Sequence, residues 1–182
     1  MPRILPIKEA DWTPSLKKAF EKHAEDHGGR VTNMKATLGH SLLAFDVYMQ
    51  WYPLYEEVKK ILGERLAYLF AYAVSTASNC PLCSAYFRKI MIDSGEKPEE
   101  LNLTPHEKEV LDFGAAIATH QGNINSNTYN IVAGKYNTQQ MVLLIAFAGQ
   151  MIATNILNNV IETDIDEYLT EYLPPVSSTW KK

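Results

Sequence analysis

The run from Gly63 to Asn79 constrains the fold more than any other part of the chain. Leu66, Leu69, Phe70, Ala71, Ala73 and Val74 make it apolar around most of a helical circumference, and a helix of that kind has to lie among other helices. Asn79-Cys80-Pro81-Leu82-Cys83 follows, with Pro81 suited to the first turn of a next helix that Gly95 closes. No segment shows strand-like alternation and no Asn-Gly hairpin occurs. The expected fold class is all-α, a helical bundle.

The rest of the punctuation agrees. Thr13-Pro14 supplies an N-cap followed by proline, Leu16, Ala19, Phe20, His23 and Ala24 recur at helical spacing, and Gly28-Gly29 stops the run. The spacing predicts a second helix over about 33–51, ended or kinked by Pro53. Glu96 to Leu103 reads as a polar linker. Thr104-Pro105-His106-Glu107 is a capping box leading into Val110, Leu111, Phe113, Ala116 and Ile117, and Gly122-Asn123 ends that helix. A shorter helix is expected over 126–136, and Thr138 opens a long one through Glu162. The long apolar helices near 63–79 and 138–162 occupy similar places in the two halves, as a duplicated helical unit would. The expected organisation is one helical domain over 1–173 and a loose tail over 174–182.

Composition narrows the partners. The chain has 182 residues, 46% hydrophobic and 21% charged, which is ordinary for a folded domain. Its formal net charge is −4, and no basic stripe appears beyond Lys17-Lys18, Lys59-Lys60 and Lys181-Lys182, which read as solvated faces or tails. Nucleic acid is therefore not an expected partner. The first residues carry no apolar stretch of signal length, and no run reaches the ~18 consecutive apolar residues of a membrane span. The expectation is a cytoplasmic protein without a membrane partner. Two cysteines three apart in such a chain point to redox work or a metal, not a structural staple.

At a helix start, Cys80 and Cys83 are neighbours at i and i+3, close enough to open and close a disulfide with little backbone movement. Unpaired N–H groups there favour thiolate, the reactive form. Other readings stay open. A thioredoxin-like fold would set the pair after a strand, and none is seen. Haem attachment would need histidine after Cys83, where Ser84 stands. Zinc would need more ligands. His23 and His27 have the spacing, but nothing puts them near the cysteines. Two inert buried thiols are the plain alternative. His106 belongs to the capping box, His23 and His27 to the polar edge of their helix. His40 and His120 could be buried and hydrogen-bonded, and a fold contact could bring His120 to the pair.

The segment Phe70-Ala71-Tyr72-Ala73-Val74-Ser75-Thr76-Ala77-Ser78-Asn79-Cys80-Pro81-Leu82-Cys83 resembles the core of the alkyl hydroperoxidase D-like, or carboxymuconolactone decarboxylase-like, superfamily. Leu38-Gly39-His40-Ser41 resembles the upstream His-Ser segment of that group, Leu103 to Phe113 the helix after its linker, and the helix running into Asn155-Ile156-Leu157-Asn158-Asn159 its last core helix. The resemblance implies an all-α bundle, usually oligomeric, whose peroxidase branch reduces hydroperoxides without a cofactor or metal. By it, Cys83 is attacked by peroxide, Cys80 resolves the sulfenate, and an external dithiol reduces the disulfide. A small hydroperoxide or disulfide is the implied substrate.

Two positions depart from that pattern. The histidine expected four residues after the second cysteine is Phe87, and the glutamate expected twelve before the first is Tyr68. Phe87 cannot take a proton, and Tyr68 is a poor base near neutrality. Glu64, one turn before Tyr68, and Tyr72, one turn after it, offer a replacement path. Ser84 and Tyr86 flank the second cysteine. The candidate catalytic residues are thus Cys83, Cys80, Tyr68 and Glu64. A non-catalytic or redox-sensing protein with the relay lost is the alternative, and decarboxylase chemistry would lean on Arg65 and Arg88. An oligomer is expected, with Trp51, Tyr52 and Tyr55 as exposed interface aromatics.

Overall fold

Capping side chains set most of the helix starts. Thr13 accepts the Leu16 N–H at 3.2 Å and opens α1, Pro14–His27, which Gly28 ends in the left-handed region at φ 61°. Thr104 and Glu107 exchange both bonds of the expected capping box. Asn137 and Gln140 form a second one at the start of the longest helix. The computed structural model describes residues 1–174. Residues 175–182, nearly all of the expected tail, lie outside the described residues. Among the described residues there are nine α-helices, two short 3-10 helices (Glu9–Asp11 and Glu167–Tyr172) and no strand.

The single helix expected over 33–51 is two: α2, Asn33–Leu38, and α3, Leu42–Met49. The break has a tertiary cause. A Cβ on Gly39 would stand 2.9 Å from Phe20 Cζ, so the corner is pressed against α1. Ser41 then caps α3 by accepting the Ala44 N–H at 3.3 Å. The preceding helix does end before Pro53, at Met49, whose carbonyl a proline four residues on cannot bond. Pro53 lies in the first turn of α4, Trp51–Leu62, where a missing N–H loses no intrahelical bond.

Helix α5, Glu64–Ala77, is the centre of the bundle. Leu69, Phe70, Ala71 and Val74 are fully buried. It packs against α4, against α6 (Pro81–Asp93), against α7 (Pro105–Thr119) and against α9 (Thr138–Ile161). Helix α8, Ser126–Ala133, covers α7. A smaller core of Leu16, Phe20, Leu38, Phe45 and Met49 joins α1, α2 and α3.

Helix α9 has 24 residues and no Asp, Glu, Lys or Arg, so by length and composition it could cross a membrane. Here Met141, Leu144, Phe147, Ala148 and Met151 bury one of its faces in the core, while Val142, Ile145, Ile156 and Val160 stay exposed on another. Trp51, Tyr52 and Tyr55 are not the exposed surface expected of them. They are half-buried, with Trp51 stacked on Tyr55 at 4.6 Å and Tyr55 on Phe147 at 5.6 Å. The Trp51 indole N–H donates to Met151 Sδ at 2.7 Å.

The crossing of α5 and α7 depends on Gly114. A Cβ there would fall 2.5 Å from the Phe70 ring and 3.1 Å from Val74. Gly114→Ala should destabilise the protein by about 1–3 kcal/mol through overpacking, although alanine is the better helix former. A denaturant midpoint equal to or above that of the parent protein would refute this.

Candidate active site

The cysteines occupy the corner between α5 and α6. The chain turns through Ser78 and Asn79, the latter in the left-handed region at φ 50°, which asparagine tolerates better than most residues. Cys80 is the N-cap of α6. Its N–H donates to Ser75 O at 3.1 Å, and its Sγ accepts the Cys83 N–H at 3.5 Å. A thiol thus fills the place usually taken by Ser, Thr, Asp or Asn. Both cysteines are reduced; Cys80 is fully buried and Cys83 is 5% exposed.

Asn158 on α9 completes the pair. Its Nδ2 donates to Cys83 Sγ at 3.3 Å and lies 3.4 Å from Met34 Sδ. Thr163 Oγ1 donates to Asn158 Oδ1 at 3.0 Å, which turns the amide so that its NH₂ faces the sulfur. Ile165, in the segment that follows, packs over Cys80, Leu82 and Cys83.

The two thiols are driven apart electrostatically. The hydrogen bond from the Cys83 thiol, with the N–H groups of Cys83 and Leu82, holds Cys80 below the ordinary thiol pKa against the effect of burial. Cys83 is held well above it, first as donor to Cys80, then by burial and by the charge on Cys80. The first proton therefore leaves Cys80.

Glu64 and Tyr68 are not brought to the cysteines. Glu64 is exposed at the start of α5. Tyr68 is buried, with its hydroxyl toward Ser94 and Glu96; burial first, then the Glu96 charge, keeps it protonated. Arg65 pairs with Glu96 and Glu107, and the buried Arg88 pairs with Glu99 at 2.6 Å and donates from Nε to Tyr172 O at 2.8 Å. Both arginines near the motif are thus engaged in ion pairs. His120 is exposed at the C-cap of α7, and the exposed His40 bonds the Leu5 carbonyl at 3.0 Å. His23 is buried against Phe45 and Tyr52, not at a polar edge, and desolvation lowers its pKa to about 4. No group of three or more His, Cys, Asp and Glu placed to hold a metal occurs among the described residues.

Cys83 lines a cavity of about 310 Å³, whereas Cys80 stands behind it. Leu82, Tyr86 and Phe87 share the α6 side, and Trp51, Tyr52 and Met151 face them. Arg30, Lys35, Asp166 and Tyr168 are also in the wall. Phe87, standing where a histidine was expected, is 2% exposed and packs edge-on to Tyr86 at 5.2 Å. Asn158, Lys35 and Asp166 were not among the residues expected at the site. One signal was available: Asn155 and Asn158 fall three apart on a helix without a charged residue, and both are buried.

No protein-family model matches the chain, and no curated protein matches it in sequence. Solved structures do match. A cysteine-to-alanine variant of the debrominase Bmp8 in complex with 2,3,4-tribromopyrrole superimposes with a TM-score of 0.76 at 17% identity, covering 93% of this chain and 94% of that one. Bmp8 without ligand gives 0.73 at 16% identity, over 93% and 95%. An uncharacterized peroxidase-related protein from Silicibacter sp. TM1040 gives 0.68 at 18% identity, over 92% and 94%. At these identities the likeness is one of fold, the all-α bundle of the alkyl hydroperoxidase D-like type.

The uneven thiols can be tested by the ultraviolet absorbance of thiolate, which needs no reagent to reach the buried sulfur. The absorbance of the reduced protein should rise with pH through a midpoint below the ordinary thiol value, since a depressed pKa fills the thiolate at lower pH. Cys80→Ser should move the profile to higher pH, because burial still opposes charge on Cys83. Identical profiles for the two proteins would contradict the assignment.

Proposed function

We propose that the protein is a thiol-dependent oxidoreductase of the alkyl hydroperoxidase D-like kind, reducing a small organic hydroperoxide or disulfide with Cys83 and Cys80. The observation that carries this reading is the placement of the sulfurs: Cys83 lines the cavity and Cys80 lies behind it at the cap of the same helix. That is the order that attack and resolution need. The charge on Cys80 takes the part of a base, accepting the Cys83 proton as Cys83 becomes the nucleophile, where Phe87 and Tyr68 offer none.

With a hydroperoxide, Cys83 sulfur attacks the terminal oxygen and the O–O bond breaks. The alcohol leaves and Cys83 becomes a sulfenic acid. Cys80 sulfur then displaces its oxygen as water. One hydroperoxide and two thiols give one alcohol, one water and one disulfide. An external dithiol restores the pair by exchange.

A second reading rests on the aromatic wall around Cys83 and on the fold shared with a debrominase. In it, Cys83 takes halogen from an aromatic ring, the ring carbon gains a proton, and Cys80 displaces halide to form the same disulfide. One aryl halide and two thiols give the dehalogenated ring, a hydrogen halide and one disulfide.

Single-turnover mass spectrometry separates the readings. Reduced protein mixed with cumene hydroperoxide should lose two hydrogens and release cumyl alcohol in equal amount, and Cys83→Ser should abolish both changes. Turnover with 2,3,4-tribromopyrrole but not the hydroperoxide selects the second reading. If neither compound yields a Cys80–Cys83 disulfide, the pair is not a catalyst.

A second copy of the chain is the proposed partner. The exposed face of α9 (Val142, Ile145, Ile156, Val160) belongs to a helix without a charged residue, and it offers self-complementary apolar surface. Light scattering should give a dimer or larger at micromolar concentration, and Ile145→Glu should dissociate it. A monomeric parent protein would remove the idea.

A further inference from the structure

The cavity that exposes Cys83 also contains a buried cation, Lys35, which feels the charge of Asp166 and whose ammonium lies 5.3 Å from the centre of the Tyr52 ring. Lys35 is 4% exposed, and its ammonium donates to the Arg30 carbonyl at 3.0 Å. An ammonium has three donors, and among the described residues this one makes no ion pair. A buried charge left so is costly unless something else satisfies it. Burial lowers its pKa to about 8, still above neutrality, with Asp166 acting the other way. Gly29 leaves the space Lys35 needs. A Cβ there would stand 3.0 Å from Lys35 Nζ, 3.6 Å from His23 Nε2 and 3.7 Å from the Tyr52 hydroxyl.

The surrounding charges favour an anion. Arg30, Lys35 and Lys89 line the cavity against one carboxylate, Asp166, in a chain whose formal net charge is −4. Lys89 is paired with Asp93, and the Arg30 guanidinium lies over the Tyr168 ring at 4.2 Å. Asp166 Oδ1 accepts the Asn33 N–H at 2.9 Å, while its Oδ2 is buried and has no partner. Trp51, Tyr52, Tyr86 and Phe87 give the same cavity an aromatic lining, with Trp51 edge-on to Tyr52 at 5.0 Å and Tyr86 edge-on to Phe87 at 5.2 Å.

We propose that the cavity binds a planar aromatic carboxylate carrying an N–H or O–H beside the acid group, with Lys35 donating to the carboxylate, Asp166 Oδ2 accepting from the neighbouring hydrogen, and the ring lying between the aromatic side chains toward Cys83. This deepens the oxidoreductase reading, since it states which chemical class reaches that sulfur. The recognition itself needs no oxidation of the thiols. An ammonium–carboxylate bond in a water-poor wall is the stronger, charge-assisted kind. The aromatic side chains supply area for a ring of one or two cycles.

Calorimetric titration of the reduced protein with indole-2-carboxylate and with its neutral amide, indole-2-carboxamide, tests the assignment. The carboxylate should bind about tenfold or more tightly than the amide. Lys35→Met should remove that preference while amide binding stays. Lys35→Arg should retain part of it. Equal affinities for acid and amide in the parent protein, no binding of either, or an undiminished preference in Lys35→Met would overturn the assignment. Because the parent comparison needs no variant, a misfolded Lys35→Met leaves the test intact. Equal affinities for acid and amide in the parent protein, with its disulfide formation in single turnover intact, would fail this inference alone. Preserved binding without any disulfide would fail the oxidoreductase reading alone.

Discussion

The close contact of Phe70 and Val74 with Gly114 is the constraint on which the bundle is built. A side chain at residue 114 would overlap the Phe70 ring, so α5 and α7 meet with almost nothing between them. That approach buries the apolar circumference of α5 on one side, and α4, α6 and α9 enclose the rest. The reactive corner inherits its rigidity from this arrangement. Residues 78–80 follow directly on the central helix α5, and Cys80 is anchored back to it through Ser75. The sulfurs therefore sit at the end of a fixed strut rather than on a loop.

The site is assembled from distant parts of the chain. Cys80 and Cys83 come from the start of α6, Asn158 from near the end of α9, Met34 and Lys35 from α2, and Ile165 and Asp166 from the segment after α9. The C-terminal return segment closes the assembly. Asp166 accepts a backbone N–H from Asn33, the buried Arg88 holds the Tyr172 carbonyl, and Ile165 covers the thiols. Phe87 gives the cavity an aromatic wall, and the acid–base asymmetry of the pair comes from the hydrogen bond between the thiols, the backbone N–H groups at Cys80 and the burial of Cys83.

Much of the fold was legible because local chemistry dictates it. Thr13-Pro14, Thr104 with Glu107, and Pro81 after Cys80 act within one turn of themselves, and the structure uses each as read. The division of the expected 33–51 helix was hidden because its cause is tertiary. Gly39 is pressed against Phe20, and Ser41 then caps a new start. The same limit applied at the site. The spacing of Cys80 and Cys83 states their proximity, but Asn158 is 75 positions from Cys83, and only the fold brings its amide to the sulfur. Tyr68, expected near the pair, instead turns its hydroxyl toward Ser94 and Glu96, and Glu64 is exposed at the start of the same helix.

The cap at the start of α6 has an electrochemical consequence. Cys80 Sγ receives hydrogen bonds from the Cys83 thiol and from backbone N–H groups at the positive end of a helix, and all of them strengthen when the sulfur carries charge. A disulfide sulfur carries none, so oxidation forfeits that stabilisation while leaving the helix end in place. The balance then tilts toward the dithiol, and the oxidised form becomes the more electron-hungry partner in exchange with other thiols. The contacts that make Cys80 acidic thus also favour the dithiol over the disulfide at this corner.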